Sequence, residues 1–127
     1  MRILIADDLA VNRKIMCHLL LKLNSSWQLV ECATAEEAVL AAKSDFYPLI
    51  IMDEEFGVGA MTGSEAIAVI RSDEAAHGRS HDKKAIIVSW TASTCHATPT
   101  CANSKWCKPA NRDIMLTDID RALQAVE

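Results

Sequence analysis

Residues Arg2–Asp8 read RILIADD, an apolar run that stops at two adjacent aspartates. Ile3–Ala6 are apolar on consecutive rather than alternate positions, which suits a strand buried on both faces, as in a parallel sheet covered by helices. The same figure recurs down the chain. Leu49–Met52 follows Pro48 and ends at Asp53, Ala85–Trp90 (AIIVSW) ends at Thr91, and the fragment Trp106–Cys107 ends at Lys108-Pro109. Trp27–Cys32 (WQLVEC) reads as a further strand, but no comparable polar residue follows it.

Helical patterns separate these runs. Val11, Ile15, Met16, Leu19, Leu20 and Leu23 recur at the spacing of one helix face, and Asn24–Ser26 ends that helix. Thr34 with Glu37, and Thr62 with Glu65, are capping boxes that open two more helices, the first carrying Ala35, Ala38, Val39 and Ala42 and the second Ala66, Ile67 and Ile70. Asn111 is placed to cap a last helix with Met115, Ile119, Ala122, Leu123 and Val126 on one face. Ser72–Lys84 is polar and aperiodic, and reads as an exposed loop. Strands alternating with helices imply right-handed crossovers and a doubly wound α/β fold.

A chain of 127 residues suits one domain, 1–127, and half of its residues are hydrophobic, an ordinary globular balance. Thirteen basic against seventeen acidic residues leave a net charge of −4, which argues against direct nucleic-acid binding through phosphates. No apolar run approaches the ~20 residues of a membrane span, and Asp7 and Asp8 interrupt the first one too early for a signal peptide. Five cysteines, an odd number, favour free thiols and a cytoplasmic location over a disulfide framework.

In doubly wound sheets ligands bind beyond the carboxyl ends of the strands. Asp7, Asp8, Asp53, Thr91 and Lys108 all stand at such ends. Singly, each has an ordinary reading: an aspartate after a strand is a turn former or, for Asp8, a helix cap, and a lysine is a surface charge. Together they form a cluster. Three carboxylates repel one another unless a cation neutralises them, and an all-oxygen donor set favours Mg²⁺. A hydroxyl and a lysine opposite could hold phosphoryl oxygens, which points to phosphoryl transfer with Asp53 as nucleophile.

The motifs ILIADD (Ile3–Asp8), YPLIIMD (Tyr47–Asp53), MTGSEA (Met61–Ala66), SWTA (Ser89–Ala92) and CKPAN (Cys107–Asn111), in this order and spacing, resemble a response regulator receiver domain over nearly the whole chain. The resemblance implies a five-stranded parallel sheet in the order 2-1-3-4-5, a flavodoxin-like receiver fold. It implies that Asp53 accepts a phosphoryl group from a phosphohistidine on a histidine kinase or a histidine phosphotransfer protein. Asp8, Asp53 and the backbone carbonyl of Glu55 would ligate Mg²⁺, with Asp7 acting mainly through a metal-bound water. Thr91 would contact the phosphoryl group, and Lys108 would pair with Asp53 and then with the phosphate. The start Asp7–Arg13, with its Asp-Asp-x-x-x-Asn-Arg pattern, resembles receivers attached to or served by hybrid histidine kinases. Such a domain phosphorylates itself rather than turning over free substrates, and it is compatible with a homodimer. A noncatalytic pseudo-receiver, acting as a protein-interaction module, is the alternative, and an aspartate-nucleophile phosphatase ranks last.

Three departures stand out. The loop after Asp53, EEFGVGAMTG, is two residues longer than the family pattern and lacks its proline, and Glu55 places a carboxylate where it can alter acyl-phosphate lifetime. Only seventeen positions separate Thr91 from Lys108, and the intervening segment carries Pro99, so the helix between the fourth and fifth strands is expected to be short, broken or absent. Lys105 occupies the position of the usual switch aromatic, while Trp106, one residue later, points to the opposite side and belongs to the core.

Cys95, Cys101 and Cys107 with His96 lack the pairwise spacing of structural zinc ligands, though Cys95 or Cys101 could serve a redox role. His18 reads as a half-buried helix residue, and His77 with His81 as a weak metal pair.

Overall fold

A computed structural model of the chain describes residues 1–77, 84–91, 101–108 and 112–124. The elements follow in the order β1 (Arg2–Ala6), α1 (Ala10–Leu23), β2 (Gln28–Cys32), α2 (Ala35–Ser44), β3 (Leu49–Asp53), α3 (Gly63–Ala76), β4 (Ile86–Thr91), β5 (Ser104–Cys107) and α4 (Arg112–Gln124). All strand pairings are parallel, in the order β2-β1-β3-β4-β5 that the motifs implied.

Alternation along the central strands divides the core in two. Leu4, Ala6, Ile50, Met52 and Ile87 face α2 and α3 with Ala38, Val39, Ile67 and Ile70. Ile3, Ile5, Leu49, Ile51, Val88, Trp90 and Trp106 face α1 and α4 with Met16, Leu20, Met115 and Ile119. Trp106 is therefore core, as its position in the sequence suggested.

The helix starts follow local chemistry. Thr62 and Glu65 form a complete capping box. Thr34 accepts from the Glu37 amide, but the Glu37 carboxylate turns to the amide of Ala33, so this box is only half made. Asp8 does not cap α1: Leu9 holds that position without a side-chain bond, and its amide donates to Asp7 Oδ1 at 2.9 Å.

The polar run from Ser72 corrects the sequence reading. Helix α3 continues through Ala76, because Glu74 is an internal group rather than a solvated one. Its carboxylate accepts from Arg71 and from the amide of Ala85, each at 2.8 Å. Arg71 in turn donates to the carbonyls of Ala85 and Cys101 and to Asn103 Oδ1, which itself accepts from the amide of Ile87. One arginine thus laces α3 to the start of β4 and to the chain entering β5. Hydrophobic periodicity cannot register a helix turn that is buried through an ion pair.

Helix α1 departs from expectation on its outer side. Met16 and Leu20 are buried and Leu19 and Leu23 partly so, but Val11 and Ile15 are exposed, as is His18. The stripe read from the sequence is wider than the face the sheet covers. The helix expected to be short, broken or absent falls in 92–100, outside the described residues, as do Cys95, His96, Pro99, His81, Asn111 and Val126. No described helix is long and apolar enough to cross a membrane.

Candidate functional site

The carboxyl ends of β1, β3, β4 and β5 meet at one cleft of about 520 Å³, lined by Asp8, Leu9, Asn12, Asp53, Glu55, Gly57, Thr91 and Lys108. Asp7 is fully buried just beneath it, whereas Asp8 and Glu55 are exposed at its rim. All the residues singled out at strand ends thus come together. Asp7, Asp8 and Asp53 each present a carboxylate oxygen, and these oxygens lie within 4.8 Å of one another. Such a set of hard oxygen donors fits a divalent cation of the magnesium type.

Asp53 closes β3 with its carboxylate nearly buried, accepting from the Glu54 amide at 2.9 Å. Burial and the neighbouring Asp7 push its pKa up to about 6, against the opposing pull of Lys108. Lys108 bridges the pair, with its Nζ 2.9 Å from Asp7 Oδ2 and 3.4 Å from Asp53 Oδ1. The resemblance implied pairing with Asp53; the shorter contact is to Asp7. Lys108 is also tied by its backbone, its amide donating to the carbonyl of Thr91 at 2.9 Å. Thr91 ends β4 nearly buried.

The supporting residues are less visible in sequence. Arg13 donates to the Asp7 carbonyl at 2.7 Å and pairs with Glu31 at 3.1 Å, fixing the turn that presents the acids. Gly63 starts α3 directly against Asp53: a Cβ there would fall 1.9 Å from the Asp53 carbonyl oxygen, so only glycine allows this approach. In the longer loop, Gly57 and Gly59 adopt positive φ angles of 112° and 79°, and Val58 between them is fully exposed. Trp90 sets its ring 4.6 Å from the Lys108 ammonium. The strand register sets residue 90 beside Asp53, but nothing in the sequence singled it out.

Among the described residues Cys17, Cys32, Cys101 and Cys107 are free thiols. Burial raises the Cys32 pKa to about 11, which keeps that thiol protonated and unreactive.

No protein-family model and no curated protein matches the chain. Solved structures do. The N-terminal domain of a response regulator/sensory box/GGDEF protein from Carboxydothermus hydrogenoformans aligns with TM-score 0.75 and 26% identity, over 98% of this chain and 94% of that one. The receiver domain of the Saccharomyces cerevisiae response regulator Ssk1, solved with the histidine phosphotransfer protein Ypd1, aligns with TM-score 0.79 and 27% identity, over 94% and 86%. This chain has the fold of a response regulator receiver domain. A third receiver, from the Pseudomonas aeruginosa sensor histidine kinase PA1611, matches at TM-score 0.76 and 23% identity over 96% of both chains, and its structure holds magnesium in the active-site cleft. The likeness to the first two of these supports a place in two-component signalling.

Proposed function

We propose that the chain is a phosphoacceptor receiver in which Asp53 takes a phosphoryl group from a phosphohistidine on a histidine kinase or histidine phosphotransfer protein. The observation that carries this reading is the lysine bridge: Lys108 spans the Asp7 and Asp53 carboxylates at the floor of an open cleft, with Asp8 at the rim and Thr91 alongside. Turn formers or caps would have no reason to share one half-buried cation.

In this reading an ionised Asp53 oxygen attacks phosphorus, the O–P bond forms as the N–P bond to the imidazole breaks, and the nitrogen leaves with its electron pair. Lys108 exchanges part of its contact with the carboxylates for a phosphoryl oxygen, and the Thr91 hydroxyl donates to another. Asp7, Asp8, Asp53 and the backbone carbonyl of Glu55 would hold Mg²⁺, which neutralises charge on the group in transit. The protein's own part is to keep these groups in place before the donor arrives.

Leu9 lines the cleft, and it and Val11 and Ile15 of α1 are 54%, 61% and 51% exposed in turn, an apolar surface on which a phosphohistidine-bearing partner would seat. A cytoplasmic location follows from such a partner.

Incubation with Mg²⁺ and phosphoramidate, read by mass spectrometry, tests the proposal. A mass gain of one phosphoryl group, absent in Asp53→Asn, is expected. No gain in the native chain overturns it in favour of a noncatalytic interaction module, and rapid turnover of unrelated phosphomonoesters would favour a phosphatase.

A further inference from the structure

Trp90 pairs with Asp53 on one side and with Trp106 on the other in the strand register, so its side chain shares the sheet face of the phosphoacceptor. It is 2% exposed, packed in the core cluster with Ile51, Val88, Trp106 and Met115. Its ring stands 4.6 Å from the Lys108 ammonium, which also contacts Asp7 and Asp53. Its indole nitrogen is buried with no hydrogen-bond partner among the described residues.

These facts belong together. An unpaired buried N–H is destabilising, and phenylalanine would fill much of the same space without one. What the indole offers instead is the strongest cation-attracting face among aromatic side chains. The cation it meets has reason to need it. Lysine carries a compact charge on a flexible four-carbon stem, with rotatable donors that impose no geometry of their own. Strand β4 holds Lys108 at both ends: the Thr91 carbonyl fixes its backbone amide, and the Trp90 ring lies against its ammonium.

We propose that Trp90 is a positioning residue for this site, its indole face holding the Lys108 ammonium over the Asp7–Asp53 pair, where it would meet an incoming phosphoryl oxygen. The inference rests on the reading of Asp53 as phosphoacceptor. Replacing the indole by leucine frees the ammonium to swing toward solvent, whereas phenylalanine keeps a weaker face and lacks the indole N–H, which has no partner among the described residues.

The test uses the full chain with Trp90→Phe and Trp90→Leu. Nuclear magnetic resonance of the Lys108 ε-methylene group reports its position against the ring, and binding of beryllium fluoride with Mg²⁺, followed by ¹⁹F signals, reports the site's grip on a phosphoryl mimic. In the native chain the ε-methylene protons are shifted upfield, an effect reduced in the Phe variant and lost in the Leu variant. Mimic affinity falls in the same order, by about five- to tenfold for Leu, while the Phe variant melts no lower than the native chain. An ε-methylene signal unchanged by Trp90→Leu, or affinity losses that simply track lowered melting temperatures in both variants, would overturn the proposal. Should the native chain bind no mimic at all, the phosphoacceptor reading fails, and the Lys108 signal alone then decides whether Trp90 sets the ammonium's place.

Discussion

The Lys108 ammonium rests 2.9 Å from the Asp7 carboxylate, joining residues 101 positions apart in the chain. The contact spans the sheet from β1 to β5, so the site exists only when all the strands between them are in register. The same lysine reaches Asp53 at 3.4 Å, and it is the cation that holds two buried carboxylates together.

Lys108→Met leaves Asp7 and Asp53 facing one another unneutralised. Removing one partner of a buried charge pair costs about 3–5 kcal/mol, and partial solvent access at Lys108 brings the expected loss to about 2–4 kcal/mol in metal-free buffer. Denaturant unfolding in chelator checks this, and added Mg²⁺ is expected to recover more stability in the variant than in the native chain.

Asp53 makes metal-free stability depend on pH. Because its folded pKa is raised to about 6 from 3.8, the native state binds the proton more tightly than the unfolded chain does. Stability from this group therefore falls as pH rises from about 4 through 6, to a cost on the order of 3 kcal/mol at neutral pH. Asp53→Asn is expected to be the more stable protein at pH 7–8 in chelator, with the advantage vanishing toward pH 4. Parallel unfolding curves at several pH values measure the difference.

Gly63→Ala drives a methyl group into the Asp53 carbonyl. Since the obstacle is backbone, relief requires moving either the α3 start or the phosphoacceptor itself, at a cost of about 1–3 kcal/mol. Phosphorylation by phosphoramidate is expected to slow as well, whereas an exposed control such as Ala60→Ser leaves both readouts unchanged.

Glu74→Gln retains the shape of a buried side chain but strands the charge of Arg71. A loss of about 2–4 kcal/mol is expected. Hydrogen exchange at the Ala85 and Ile87 amides, which close the same network, is expected to speed up more than exchange in β1.

The candidate site was legible where chemistry coincides with a strand end. Asp7, Asp53 and Lys108 each terminate an apolar run, so their convergence follows from parallel topology before any contact is known. Trp90 was legible only as the end of an apolar strand, because a sequence does not show which charge lies over a ring. The turn of α3 from Ser72 to Ala76 was missed because Glu74 is buried by pairing rather than by hydrophobicity. Val11 and Ile15 show the opposite error: their helical spacing matches the core stripe, yet the sheet ends before it reaches them. Glu37 is a subtler case, with a motif that predicts the helix start correctly while its carboxylate serves the residue before the cap.

Helix α4 is fastened to β5 by Asp118, whose nearly buried carboxylate accepts from the Trp106 indole at 2.8 Å and from the Ser104 hydroxyl at 2.5 Å. A helix held by apolar contact alone can slide over its strand at modest expense, but one pinned through a charge can only pivot about the pin. A one-turn translation of α4 along β5 would strand an indole and a hydroxyl in the dry interior, so rotation about the pin is the less costly movement.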